Sequence, residues 1–385
     1  VIIELHAIQS FAPANLNRDD TGAPKDCTFG GVRRARVSSQ SWKRAIRLAF
    51  RDEVAGLPTG TRTKRAHQEI VERLTSADPE MEAQRARHLA AVVLEAEPFG
   101  LNVRAADDEG AVKTAQLIFF RDRDLDSLAD IARDYAEELS GLPSSLSEEK
   151  AQPKLGREAA KRVRSAMTEP GAALDVALFG RMIAELPEGN VDASCQVAHA
   201  IGTHRLASEF DYYTAVDDLK PDDTEGADMI GTIQFNASCL YRYAALDVDQ
   251  LASNLGGAHD GRALPSAVEA FARAFVTAIP TGKQNTFAAR NPPSSVLAVR
   301  RAAGAWNLAN AFVAPVDGRN AQDGVAVAST GRLVTELTTL LRMYGAPQDF
   351  AAVLLTSSPE DLGHSAHLEE VDDLDQLLRH LTEEL

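Results

Sequence analysis

The chain has 385 residues, 44% of them hydrophobic, and a formal net charge of -16, so it can bury a sizeable core and resists indiscriminate nucleic-acid binding. No apolar run is long enough to cross a bilayer, and the opening VIIELHAIQSF lacks the basic start expected of a secretory signal. Three scattered cysteines, Cys27, Cys195 and Cys239, suit neither a disulfide framework nor a zinc site, and a reducing cytoplasm is the expected setting.

In chain order, Ile3, Leu5 and Ala7 alternate with Glu4 and His6, which predicts a half-buried first strand. From Asn15 to Arg51 the chain gathers nine cations (Arg18, Lys25, Arg33, Arg34, Arg36, Lys43, Arg44, Arg47, Arg51) against three acids (Asp19, Asp20, Asp26). Pro24 and Gly30-Gly31 mark loops, Val32 to Val37 alternate as a strand, and Ser38 or Ser39 is placed to cap a helix running to about Glu53. Trp42, Ile46, Ala49 and Phe50 form its buried stripe, with Lys43, Arg47 and Arg51 in a row beside it. A solvated helix face explains any single cation. It explains less well the convergence of glycines, Ser38, Ser39, Gln40 and Lys25 on one place, a set suited to holding phosphates.

Residues 62 to 97 and 124 to 167 have helical spacing, and Gly141 to Pro153 read as a loop. A strand is expected between Asp192 and Leu206, then a hairpin in which Phe210, Tyr212, Thr214 and Val216 alternate toward the acidic turn Asp217 to Glu225 and Ile230, Thr232, Gln234 and Asn236 return. Leu240 to Ala245 is expected to continue as a core strand. Helices are predicted at 248 to 257, 265 to 279 and 333 to 343, a polar loop at Thr281 to Thr286, and strands at Val296 to Val299 and Trp306 to Val313. Acids dominate residues 359 to 385, the pattern of a solvated terminal helix. His199 and His204 lack further ligands at metal spacing, and the chain shows no phosphate loop, nucleophile elbow or Cys-His arrangement.

LNRDD, KD, FGG, RR with Arg36 two on, and SSQSWKRAIR together resemble the CasC family, the repeated backbone subunit of the type I-E CRISPR surveillance complex Cascade, a member of the RAMP superfamily. ALDVALFGRM, DASCQVAHAIGTHRL, YYTAVDDL, YRYAALDVDQLASNLGG and IPTGKQNTFAARNP extend the resemblance over most of the chain. It implies an α+β fold: a modified ferredoxin-like or RRM-like palm (1–58, 194–205 and 239–385), a helical fingers insertion (59–193) and a long β-hairpin thumb (206–238). It further implies a non-catalytic protein without cofactor or metal that oligomerises along crRNA in a helical filament and presents guide bases to target DNA in antiviral defence. The other partners would be the RNA-end-capping, large and small Cascade subunits, with no membrane involved.

Arg18, Lys25, Ser38, Gln40, Lys43, Arg47, Lys283 and Gln284 are the expected RNA-backbone contacts; Met182, from FGRM, and Tyr213, Thr214, Val216 and Ile230, with Met229, are the expected base wedges. The alternative is a metal-dependent endoribonuclease of the RAMP type using a loop aspartate, for which Asp19 is the candidate. Alternation sends Arg33, Arg34 and Arg36 to opposite faces and leaves open which face RNA.

Overall fold

The computed structural model describes residues 1–385 except 54–57, 105–111, 145, 147–152, 216–228, 257–262, 319–323, 358–366 and 384; the side chains of 51–53, 215, 229 and 230 also lie outside the description. The acidic turn 217–225, most of the 141–153 loop and Val216 therefore fall outside the described residues. The fold is mixed α/β and divides into two compact units, Val1–Ala55 with Cys195–Asp249 and Gly261–Leu385, and Gly56–Ser194 with Gln250–Asp260.

The first unit is built on β1 (Ile2–Ala14), which lies antiparallel between the strands Met229–Asp247 and Ser295–Arg301. A central strand has both faces covered, so Glu4 and His6 are buried rather than turned to solvent as the alternation predicted. Their burial is compensated by partners distant in sequence. Glu4 accepts hydrogen bonds from Arg301, from the Trp306 backbone N–H and, at 3.1 Å, from the Tyr243 hydroxyl. Arg301 in turn stacks 4.2 Å from the Trp306 ring centroid, and His6 Nδ1 lies 2.9 Å from the Tyr241 hydroxyl.

Beyond Ser295–Arg301 the sheet continues with Ala351–Thr356 and Glu369–Val371; beyond Met229–Asp247 it continues with Ala200–Gly202, β3 (Val32–Val37) and β2 (Asp26–Phe29). Gly30 and Gly31 join β2 to β3 with φ of 58° and 74°, the positive values that a two-residue hairpin turn demands at both positions. The stretch 192–206, predicted as one strand, forms two short ones, Cys195–Val197 and Ala200–Gly202. Met229–Asp247 serves twice. Its first part pairs with Glu209–Ala215 as a hairpin, and its second part is a core strand against β1.

Trp306 to Val313, expected as a strand, instead holds a 3₁₀ turn at Leu308–Phe312. The Asn307 side chain caps it by accepting the Ala309 N–H, and Leu308 and Phe312 both reach one core. The helix Gly324–Tyr344 buries Leu333, Leu337 and Leu341 in that core with Tyr241, Leu297 and Leu354. The chain ends in the helix Leu374–Thr382.

The second unit holds the helices Ala66–Ala77, Ala83–Glu95, Asp122–Asp134, Ala136–Ser140, Arg157–Thr168 and Leu174–Phe179. Leu89, Val93, Leu125, Leu128 and Val163 fill its core. Short strand pairs at Thr61–Thr63 with Ile118–Phe120 and at Val103–Arg104 with Lys113–Thr114 had no periodicity to announce them. Among the described residues no helix is long and apolar enough to cross a membrane.

Candidate nucleic-acid interface

The basic segment folds as strand, turn, strand and helix. α1 (Ser39–Glu53) starts where Ser38 accepts the Ser41 N–H on its hydroxyl at 3.3 Å, and it is anchored by Trp42, Ala45, Ile46 and Phe50. Lys43 and Arg47 are half-buried along its edge, and Gln40 is exposed at its first turn. Ser38 is itself buried, its N–H held by Asn17 Oδ1 at 2.8 Å. Ser38, expected to meet RNA, is thus taken up by the helix cap and by Asn17.

The three arginines of β3 separate cleanly. Arg34 is fully buried and donates to the carbonyls of Gly202, Thr203, Phe312 and Val313 at 2.9 to 3.2 Å, so it clamps the hairpin to two other segments. Arg33 is exposed and paired with Asp26. Arg36 is half-buried; its Nε reaches the Asp26 carbonyl at 3.0 Å and its Nη1 donates to His199 Nδ1 at 3.1 Å. Partial desolvation, and then the nearby Arg36 and Lys25 charges, hold the imidazole of the exposed His199 below its usual range, in the neutral form that accepts this bond. Lys25, Arg36 and His199 thereby form one group.

The Asn17 to Lys25 loop closes through backbone bonds from Asp19 to Ala23 and from Lys25 to Asn17, leaving Arg18 exposed and Lys25 half-exposed. Asp19 Oδ1 accepts from the Thr21 hydroxyl and N–H and from the Ala23 N–H, and the Thr21 hydroxyl bond in particular keeps this carboxyl below its usual range. This is a turn-forming aspartate. His204 is likewise structural, with Nδ1 bonded to the Arg205 carbonyl and Nε2 accepting the Cys239 N–H. Among the described residues no three His, Cys, Asp or Glu side chains converge as metal ligands.

Segments far apart in sequence meet beside this loop. Asn15 Nδ2 donates at 3.0 Å both to the Gly22 carbonyl and to the Gln234 carbonyl at the base of the hairpin. Phe235 packs on Phe287, with ring centroids 5.6 Å apart. Gly282 lies against the Leu16 carbonyl so closely that a Cβ would overlap it. The expected polar loop at 281–286 gives way to a short helix, Gln284–Phe287, entered through half-exposed Lys283. Asn15, Asn17, Gly282 and Phe287 carry no signal of this role in the sequence, because their partners lie on other segments.

On the hairpin, Phe210, Tyr212 and Thr214 are exposed on one face. Tyr213 is half-buried on the other, its ring occupying the space where the cross-strand Gly231 has no Cβ. Ile230 is on the returning strand, with its side chain outside the described residues.

Within the second unit, Gly180 at φ 81° ends the helix Leu174–Phe179 and divides the FGRM run. Arg181 turns inward to Asp124 Oδ2 at 3.1 Å and to the carbonyls of Gly189 and Met167; burial lowers its pKa from the usual range. Met182 turns outward and is 78% exposed, which excludes the core-filling role usual for a Met. A further feature has no clear signature in the sequence: Lys154, Arg157, Lys161 and Arg164 edge an open groove of about 740 Å³ that also carries Glu97 and Glu185.

A large mixed sheet with a cation-edged loop and helix and a hairpin whose Phe210 and Tyr212 are exposed thus characterises the first unit. The CT1975-like protein family matches residues 3–380, and the chain belongs to that family. It is similar to a chain of a solved assembly described as a CRISPR RNA-guided surveillance complex, pre-nicking, at 32% identity and TM-score 0.87 over 100% of both chains. A second, from a CRISPR RNA-guided surveillance complex, matches at 27% identity and TM-score 0.75, again over 100% of both. No curated protein matches the chain.

Proposed function

We propose that this chain is a non-catalytic crRNA-binding backbone subunit of a CRISPR surveillance complex, repeated along the guide in antiviral defence. The observation that carries this reading is the meeting, within one compact unit, of the basic loop at Asn15–Lys25, the hairpin base at Gln234–Phe235 and the loop at Gly282–Phe287. Each brings polar or cationic groups from a different part of the chain, and the two whole-length relatives are chains of RNA-guided complexes. In this reading the first unit is a ferredoxin-like palm with the hairpin as thumb, and the second unit supplies the fingers. Arg18, Lys25, Gln40, Lys43, Arg47 and Lys283 face the RNA backbone, while Met182, Tyr213 and Thr214 meet bases. Backbone contacts carry no base code, so any guide is accepted and target DNA is recognised by pairing. The exposed cations Lys154, Arg157 and Lys161 suit the target's phosphates.

The test has two arms. The purified assembly is weighed and its absorbance ratio read, with co-purifying RNA and several copies per RNA expected. The double variant Lys43→Ala, Arg47→Ala is then titrated with single-stranded RNA across salt concentrations; its log-log slope falls by about 1.4, or about 0.7 for each phosphate no longer neutralised. An unchanged slope removes the α1 edge from the interface. RNA cleavage by the wild type with Mg²⁺, abolished by Asp19→Asn, would replace the binding reading with the endoribonuclease.

A further inference from the structure

The loop from Pro280 to Ala289 carries two non-glycine residues in the left-handed region, Lys283 at φ 52° and Ala288 at φ 48°. Residues other than glycine, asparagine and aspartate seldom occupy it, and such geometry persists only where the surroundings enforce it. Three contacts do so here. Gly282 is pressed against the Leu16 carbonyl, Phe287 is held on Phe235, and Gln284 spans the loop from within. The Gln284 Nε2 group donates to the Pro280 carbonyl and to the Ala289 carbonyl, each at 3.1 Å, and so ties the loop's two ends together.

This arrangement leaves Gln284 little to offer a phosphate. Both amide protons are committed to carbonyl acceptors, and those acceptors fix which way the amide faces. Its Oε1 is buried and accepts no hydrogen bond from the described residues. An amide oxygen would in any case repel a phosphate oxygen. Lys283, the adjacent residue, is half-exposed, carries the charge, and sits in its left-handed conformation inside the loop that Gln284 closes.

We infer that Gln284 is a positioning residue: it contacts no RNA, and it holds Lys283 in the left-handed conformation that delivers the ammonium group to the polyanion. This rests on the RNA-binding reading above and reassigns Gln284, which the sequence pattern groups with the direct contacts.

Four proteins decide it: wild type, Lys283→Ala, Gln284→Leu and the double variant, each titrated with a guide-length single-stranded RNA over a series of salt concentrations. Each single variant is expected to lower the log-log slope by about 0.7, which corresponds to about fivefold weaker binding at 0.1 M salt, and the double variant to be no weaker than either. Weaker binding by Gln284→Leu with an unchanged slope would mark a direct uncharged contact and overturn the inference. So would a double variant that shows both effects in full, or a Gln284→Leu protein that binds as the wild type does. Should Gln284→Leu fail to fold, Gln284→Asn, one methylene too short to reach both carbonyls, is read by the same slope. Wild-type protein that binds no RNA refutes the RNA reading itself, whereas normal wild-type binding with an unaffected Gln284 variant refutes only the positioning role.

Discussion

Replacing Arg34 with Met should destabilise the first unit while leaving the stability of the neighbouring Arg33→Met protein nearly unchanged. Arg34 is 0% exposed and supplies donors to four carbonyls on two segments remote from β3 in sequence, Gly202-Thr203 and Phe312-Val313. Hydrogen bonds to a charged donor contribute about 1.5–3 kcal/mol each, but they are not additive and the guanidinium's own desolvation offsets part of them; each buried carbonyl left without its donor costs about 1–3 kcal/mol. Arg34→Met is therefore placed at about 3–5 kcal/mol, and Arg33→Met, with its side chain 69% exposed, within about 0.5 kcal/mol. Urea unfolding followed by tryptophan fluorescence is the suitable assay, because the chain's two tryptophans, Trp42 and Trp306, both belong to the first unit and report on it alone. The expected result is a lowered midpoint at unchanged m for Arg34→Met. A stable Arg34→Met protein with a reduced RNA salt slope would refute the reasoning and move Arg34 to the interface.

Three further outcomes are expected. His6 is buried beside Tyr241, and desolvation, followed by the Arg301 charge, lowers its pKa to about 3. Because the unfolded imidazole takes up a proton near pH 6.5 and the folded one does not, stability is retained above that pH and lost as the pH falls toward 3, by about 1.4 kcal/mol per unit. A His6→Asn protein should lack this component, and parallel pH profiles for the two proteins would contradict it. Gly231→Ala places a methyl group where the Tyr213 ring lies, so RNA binding should weaken by about 1–3 kcal/mol, the scale of one stacked base, with the salt slope unchanged. A change in slope would show that charge rather than ring position was disturbed. Met182→Ala should leave the melting temperature of the chain unaltered, since the side chain is 78% exposed; a loss of about 2–5 kcal/mol, the cost of truncating a core Met, would return it to the interior.

Elements whose signal is local were legible in the sequence. α1 was readable from a hydroxyl cap and a four-residue apolar stripe, and Ser38, Trp42, Ile46 and Phe50 occupy those roles. The Glu209–Ala215 hairpin strand was readable from alternation. What failed was the step from polarity to exposure. Glu4 and His6 read as solvent-facing because nothing near them in the chain foretells Arg301, Tyr243 and Tyr241, which arrive from more than 230 residues away. The strand expected at Trp306–Val313 failed for a related reason: an apolar run says that a segment is buried but not with what period, and the deciding cap at Asn307 is a single side chain. At the candidate site the charges were visible and their connections were not. Asn15 and Gly282 matter through contacts with Gln234 and Leu16, and neither contact leaves a pattern in the surrounding residues.

The geometry of Asp19 bears on how the binding and cleaving readings divide. A carboxylate that recruits Mg²⁺ for phosphodiester cleavage needs lone pairs directed at the ion and, ordinarily, a second acidic ligand or substrate oxygens to complete the shell. One oxygen of Asp19 already serves three donors within its own turn, Thr21 twice and Ala23 once. Those bonds shape the loop that carries Arg18 and leads into Lys25. Cleavage chemistry would have to recruit the remaining oxygen without dissolving the turn, and Asp19→Asn separates the two roles. Asparagine keeps a side-chain oxygen for the Thr21 and Ala23 donors but loses the charge a metal requires, so a binding subunit should retain its affinity for RNA in this variant, while a nuclease should retain binding and lose cleavage. Asp19→Ala removes the turn contacts as well, and only this variant is expected to weaken RNA binding through disorder of Arg18 and Lys25.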